Sequence, residues 1–228
     1  FQTLPDYTQY LKFKDHNPHF FYVFVKTLPP DLLLKAEEAL QQQFFEALDP
    51  YKREIMAITI ASAITTWSDF IKFSKLTRSL NLLLERANIA LLLPQATFQE
   101  AISFANSLQL EQLSTVAPAL KSHLRSLENI LDVIKALKPS NLDRFNKLYV
   151  DYIRKEAVLF RQAIQPALAA LITPANVSKI VMRLDDALVD SKIKQALLDD
   201  PIIQTALQNR TFPQLIEDEK HFSHYGPK

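Results

Sequence analysis

Four basic residues, Arg144, Lys147, Arg154 and Arg161, share one side of a helix expected to begin after Ser140. The opposite side carries Leu142, Phe145, Tyr149, Tyr152, Ile153, Phe160 and Ile164, a broad apolar face at helical spacing. An exposed basic stripe of this kind can dock acidic lipid headgroups, nucleic-acid phosphate or an acidic protein through salt-sensitive contacts. Asp151 interrupts the stripe, as it would on an ordinary solvated charged face.

A second candidate chemistry is metal binding by Asp185, Asp186 and Asp190. Asp186 and Asp190 are four residues apart, so two carboxylates on one helical face could share a hard cation, much as aspartate-rich helices of isoprenoid synthases hold magnesium. No second acidic motif accompanies them, and the competing expectation is that Asp190 caps the following helix. His221 and His224 beside Glu217 have spacing for zinc or nickel but fall in an expected loose tail. His16 and His19 flank the turn Asn17-Pro18, and His123 stands alone. Serine, histidine and aspartate are present without a local signature that groups them as a triad. No catalytic residue, metal site or cofactor is therefore assigned from the sequence.

The aromatic run Phe20, Phe21, Tyr22 and Phe24 offers a different chemistry, an anchor that a partner would bury. Packing against the first long helix is the alternative role, and Trp67, beside Thr65 and Thr66, has the same two. Residues 19–25 also read as a helix, a strand or an extended arm. No partner strand with matching alternation is evident elsewhere in the sequence.

The elements that must position these residues are helical. Glycine occurs once in 228 residues, at Gly226, and cysteine not at all. Phosphate-wrapping loops and nucleophile elbows favour glycine, and thiolate chemistry needs cysteine, so those enzyme classes are disfavoured. The thirteen prolines mark where helices start or stop. One amphipathic helix is expected from Asp31 to Asp49 and a buried central helix from Tyr51. Another runs from Ser68-Asp69 to about Leu92. Thr97 and Glu100 have capping-box spacing and open a helix to about Leu108. Thr115 to Pro118 is expected to open the next, ending at Lys138-Pro139. Pro166 should kink or end the helix after Ser140. Thr173-Pro174 and Asp200-Pro201 start two more.

The fold expectation is all-α, an irregular bundle of about eight helices in a single domain over 1–228. A softer division is expected near 92–97 and a loosely held tail over 213–228. Formal net charge is +1, which gives no global signal for nucleic acid. The longest charge-free run, Gln162 to Ser178, is shorter than a bilayer span and contains Pro166 and Pro174. The chain begins at Phe1 without a basic-then-apolar leader, which suggests a piece of a longer protein.

These features favour a soluble, non-enzymatic helical interaction module, a scaffold or regulator with a protein partner. Its composition would suit part of a bacterial effector working in a host cytoplasm or at a membrane surface. The alternatives are a peripheral domain that reads acidic lipids, phosphoinositides included, and a small-GTPase regulator or enzyme whose residues are dispersed along helices.

Overall fold

The computed structural model describes residues 7–13, 28–139, 147–187, 190–211 and 213–214. The fold is all-α, and no strand occurs among the described residues. The chain divides into two compact units, Phe1–Ala96 and Thr97–Lys228.

In the first unit the helices are α1 (Tyr7–Phe13), α2 (Pro30–Lys35), α3 (Glu38–Glu46), α4 (Pro50–Ala61), α5 (Trp67–Thr77), α6 (Leu80–Arg86) and α7 (Ile89–Leu92). Aromatic side chains link them. Phe44 of α3 receives Tyr7 and Tyr10 of α1 edge-on at centroid distances of 4.8 and 5.2 Å. Phe45 leads on to Phe73 of α5 at 5.8 Å, and Trp67 stacks on Phe70 at 5.5 Å. Phe44, Phe70, Phe73, Met56 and Ile60 are fully buried. Such ring pairs contribute roughly 0.5–1.5 kcal/mol beyond their buried area.

The single helix expected from Asp31 to Asp49 is two helices. The chain leaves helical geometry at Ala36 and Glu37, where ψ is 155° and 144°. Gln41, itself buried, reaches back from α3 and donates its side-chain amide to the carbonyls of Leu33, Leu34 and Ala36 at 2.8, 3.3 and 3.1 Å. Carbonyls that a continuous helix would have bonded internally are thus satisfied by a side chain instead. The central helix α4 is capped by Asp49, whose carboxylate accepts the Lys52 amide at 2.9 Å. It is not buried all round, because Tyr51 and Ile58 are exposed.

The helix expected to reach Leu92 breaks twice. Its start is at Trp67 rather than Ser68-Asp69, with the Thr66 hydroxyl accepting the Asp69 amide at 3.1 Å. Its end is Arg78, which has φ 55° and is the one non-glycine residue with positive φ among those described. A left-handed residue at a helix end is ordinarily glycine, and a Cβ there costs about 1–2 kcal/mol. Arg78 is exposed. Arg78→Gly is therefore expected to stabilise by about 0.5 kcal/mol, relief of the left-handed penalty exceeding the extra chain entropy of glycine. A rise in the urea midpoint at unchanged slope is the readout, and an unchanged or lower midpoint counts against it.

The second unit holds α8 (Phe98–Ser107), α9 (Leu110–Leu120), α10 (Leu127–Leu137), α11, α12 (Val177–Ala187), α13 (Ser191–Leu198) and α14 (Pro201–Gln208). The fourteen helices of the described residues exceed the eight expected, because several expected helices are interrupted. Among the described residues helix α11 runs as Lys147–Leu159, passes through a π-helical turn at Phe160–Ile164 and continues as Gln165–Leu171. It packs on α9 and α10, and α10 also meets α8 and α12. Ile130, Leu131, Val133, Ile134 and Leu137 of α10 supply the buried face.

The Thr97–Glu100 capping box opens α8 as expected. The Thr97 amide and hydroxyl both donate to one Glu100 carboxylate oxygen at 2.8 Å. These bonds hold the Glu100 carboxyl below the usual glutamate range. A carboxyl depressed in the folded state contributes stability that is complete above the unfolded value of about 4.3 and is lost as pH falls through the lower, folded one. Glu100→Gln is therefore expected to flatten the fall of Tm between about pH 5 and 3. Parallel curves for the variant and the parent would overturn this.

Pro118 does not open a helix. It lies in the last turn of α9, which starts earlier, where the Gln109 amide donates to Gln112 Oε1 at 2.9 Å. Thr115 is interior to that helix, its hydroxyl donating to the Glu111 carbonyl at 3.4 Å. Ser126 caps α10 instead, accepting the Asn129 amide at 3.1 Å.

Nor does Pro166 end α11. The Gln165 amide donates to the Phe160 carbonyl five residues back, so the helix widens into a π turn just ahead of the proline. A proline ring clashes with the carbonyl four residues before it in a regular helix, and a wider turn gives it room.

Candidate functional site

Helix α11 is amphipathic, and its inward face is set by burial. Tyr152, Glu156, Leu159, Phe160, Ala163 and Ile164 are buried. The Tyr152 hydroxyl donates to Glu156 Oε1 at 3.1 Å, and desolvation, reinforced by that carboxylate, pushes its pKa well above the usual tyrosine value. The polar pair is held inside the unit, so the rest of the helix is fixed in rotation.

That rotation places Lys147, Arg154 and Arg161 on the outside, all exposed. They recur every seven residues, close to two helical turns, and so form a row with neighbours about 10 Å apart along the axis and a total length of about 21 Å. Two cations of this unit are paired, Arg183 with Glu128 at 3.0 Å and Lys194 with Asp185 at 3.3 Å. None of the three cations in the row has an ion pair among the described residues. Arg144, the fourth member of the expected stripe, lies outside the described residues.

Two exposed apolar residues of this helix are not selected by the sequence pattern. Leu148 is 63% exposed and Val150 44% exposed. At about 100° per residue Val150 falls within the row, whereas Leu148 lies about 120° away from it, toward the buried side of the helix. Asp151, half-buried, lies on the face of the row.

The aspartate candidates are engaged structurally. The Asp190 carboxylate accepts the amides of Lys192 and Ile193 at 2.9 and 3.3 Å, capping α13. Asp185 binds Lys194, while Asp186 is exposed. No cluster of three His, Cys, Asp or Glu side chains with the placement of a metal site occurs among the described residues. Trp67 is a core residue, 6% exposed, with its backbone amide donating to Gln95 Oε1 at 3.2 Å. The aromatic candidates Phe20, Phe21, Tyr22 and Phe24, the stretch 19–25, His16, His19, His221 and His224 all lie outside the described residues. So does the expected tail, apart from Pro213 and Gln214.

The chain is an all-α protein with a row of three cations on one exposed helix face that make no ion pair among the described residues. No family model, no curated protein and no solved structure matches it. Among the described residues no helix is long and apolar enough to cross a membrane.

Proposed function

We propose that this chain is a non-enzymatic helical interaction module that holds an acidic partner along the row Lys147, Arg154 and Arg161. The observation that carries the reading is the alignment of these three exposed cations on one face of a single helix, with no ion pair to any of them among the described residues. Their separation selects the kind of ligand. Side chains about 10 Å apart along a helix cannot converge on one small anion, so the complementary surface carries several negative charges spread over about 21 Å. An acidic protein face and an acidic lipid surface both meet that requirement.

The test uses poly-L-glutamate as a soluble extended polyanion. The chain is expected to bind it at low salt and to release it as salt is raised, because exposed charges are screened within about 8 Å at physiological ionic strength. In the triple variant Lys147→Glu, Arg154→Glu and Arg161→Glu, affinity should fall about a hundredfold, taking roughly 1 kcal/mol for each lost contact. The far-ultraviolet circular dichroism of the variant should match the parent, since all three residues are exposed. Equal binding by parent and triple variant would remove the row from the proposal.

A further inference from the structure

Resting on that docking reading, we infer that the acidic partner is an α-helix laid along α11, its acids flanking an apolar residue that recurs every seven positions. What lies between the cations points there. Residues i, i+3, i+4 and i+7 of a helix surround a hole, and a facing helix sets one side chain into each such hole. Helix α11 carries two of these holes in succession on its outer face. Lys147, Val150, Asp151 and Arg154 frame the first, and Arg154, Ala157, Val158 and Arg161 frame the second. At about 100° per residue, Val150 and Ala157 fall about 50° to one side of the row, and Asp151 and Val158 about 50° to the other. Val150 is exposed, and Asp151, Ala157 and Val158 are half-buried. Each hole therefore has short side chains at its waist and long cations at its ends.

The spacing selects a helix over other acidic surfaces. Side chains on one face of a strand recur about every 6.8 Å, which falls out of step with cations about 10 Å apart. A helix that repeats its pattern every seven residues returns to nearly the same face after about 10.5 Å, so acids meet cations and apolar residues meet holes. A bilayer has no register to match and gives Asp151 no counter-charge, whereas a helix can place a lysine opposite it. Toward its carboxyl end the seam stops at Arg161. That residue stands in the π turn, and the next position of the series, Leu168, is buried.

Two alanine-based peptides of about 21 residues, long enough for helix to form in water, test the inference on the 228-residue chain. In the first, leucine recurs every seven residues with glutamate three and four residues from each leucine, on the same face. In the second, of identical composition, the glutamates are dispersed around the helix. Fluorescence anisotropy at low salt should show the first bound about tenfold more tightly. Val150→Gln and Ala157→Gln each narrow one hole without changing charge. Each should weaken the first peptide by about threefold and leave poly-L-glutamate binding unchanged. Arg154 borders both holes, so Arg154→Glu should remove the preference for the first peptide. A peptide with its central glutamates changed to lysine should then bind that variant more tightly than it binds the parent. Equal affinity of the parent for the two peptides, with the row still required for poly-L-glutamate, would overturn the helix and leave the docking row standing. Row-dependent sedimentation with phosphatidylserine vesicles and no preference between peptides would overturn it in favour of a membrane. If the parent binds neither poly-L-glutamate nor peptide, both proposals fail.

Discussion

Phe44→Ala is expected to destabilise the first unit by about 3–5 kcal/mol, the range for emptying a buried phenylalanine site. Phe44 is fully buried and is the ring that Tyr7 and Tyr10 of α1 and Phe45 all meet edge-on. Alanine would remove contacts to three rings at once, and neighbours belonging to separate helices cannot all relax into the void. Phe44→Leu, which keeps most of the volume, should cost much less, on the order of 1–2 kcal/mol. The chain's one tryptophan makes the measurement local. Trp67 is stacked on Phe70 within this same unit, so its fluorescence during urea unfolding reports on the unit that carries the substitution. A midpoint for the alanine variant within experimental error of the parent's would show that α1 does not depend on this ring.

The second large effect falls at Asp200. This aspartate is buried, and its two oxygens serve different elements. Oδ1 accepts the amides of Ile202 and Ile203 at 2.8 and 3.4 Å, capping α14, and Oδ2 accepts the Gln165 side-chain amide of α11 at 2.5 Å. Asp200→Ala loses a cap, about 1 kcal/mol, and leaves the Gln165 donor without its acceptor, another 1–3 kcal/mol. The sum is a loss of about 2–4 kcal/mol. Asp200→Asn should recover most of it, because its carbonyl oxygen still caps the helix and the Gln165 amide can turn to meet its NH2 group. Thermal unfolding followed by circular dichroism separates the three proteins. An Asn variant as unstable as the Ala variant would mean that the charge, rather than the acceptor geometry, matters at this position.

What the sequence discloses about this fold is what is local. Thr97 with Glu100, Asp190, and Asp49 and Asp200 before their prolines are legible because a cap is made between residues two or three apart. The breaks at Ala36 and Glu37 are not legible. They depend on Gln41 closing back over three carbonyls, and nothing in a glutamine announces that. Pro118 misleads for a related reason, and Pro166 distorts its helix without ending it. A proline signals a missing donor and a bulky ring, yet both can be accommodated in the final turn of a helix or behind a π turn. The cationic side of α11 follows from periodicity, since Lys147, Arg154 and Arg161 lie opposite the apolar face. Leu148 and Val150 are passed over because a periodic reading assigns aliphatic residues to the core by default. Their exposure depends on which face the neighbouring helices α9 and α10 cover.

The corners of this fold have one further consequence. Ala36, Ala87 and Leu108 each follow a helix in extended geometry, with ψ of 155°, 147° and 149°. In each, the residue's own amide still closes the helix behind it, to Leu33, Leu83 and Ala105, and the next helix begins two residues further on. These three corners have no slack chain to absorb a change in length. Surface loops ordinarily accept insertions and deletions. Here an added residue would turn the following helix by about 100° and carry its apolar face out of the core. Variation in length at these three corners is therefore expected to be as disruptive as within the helices they join.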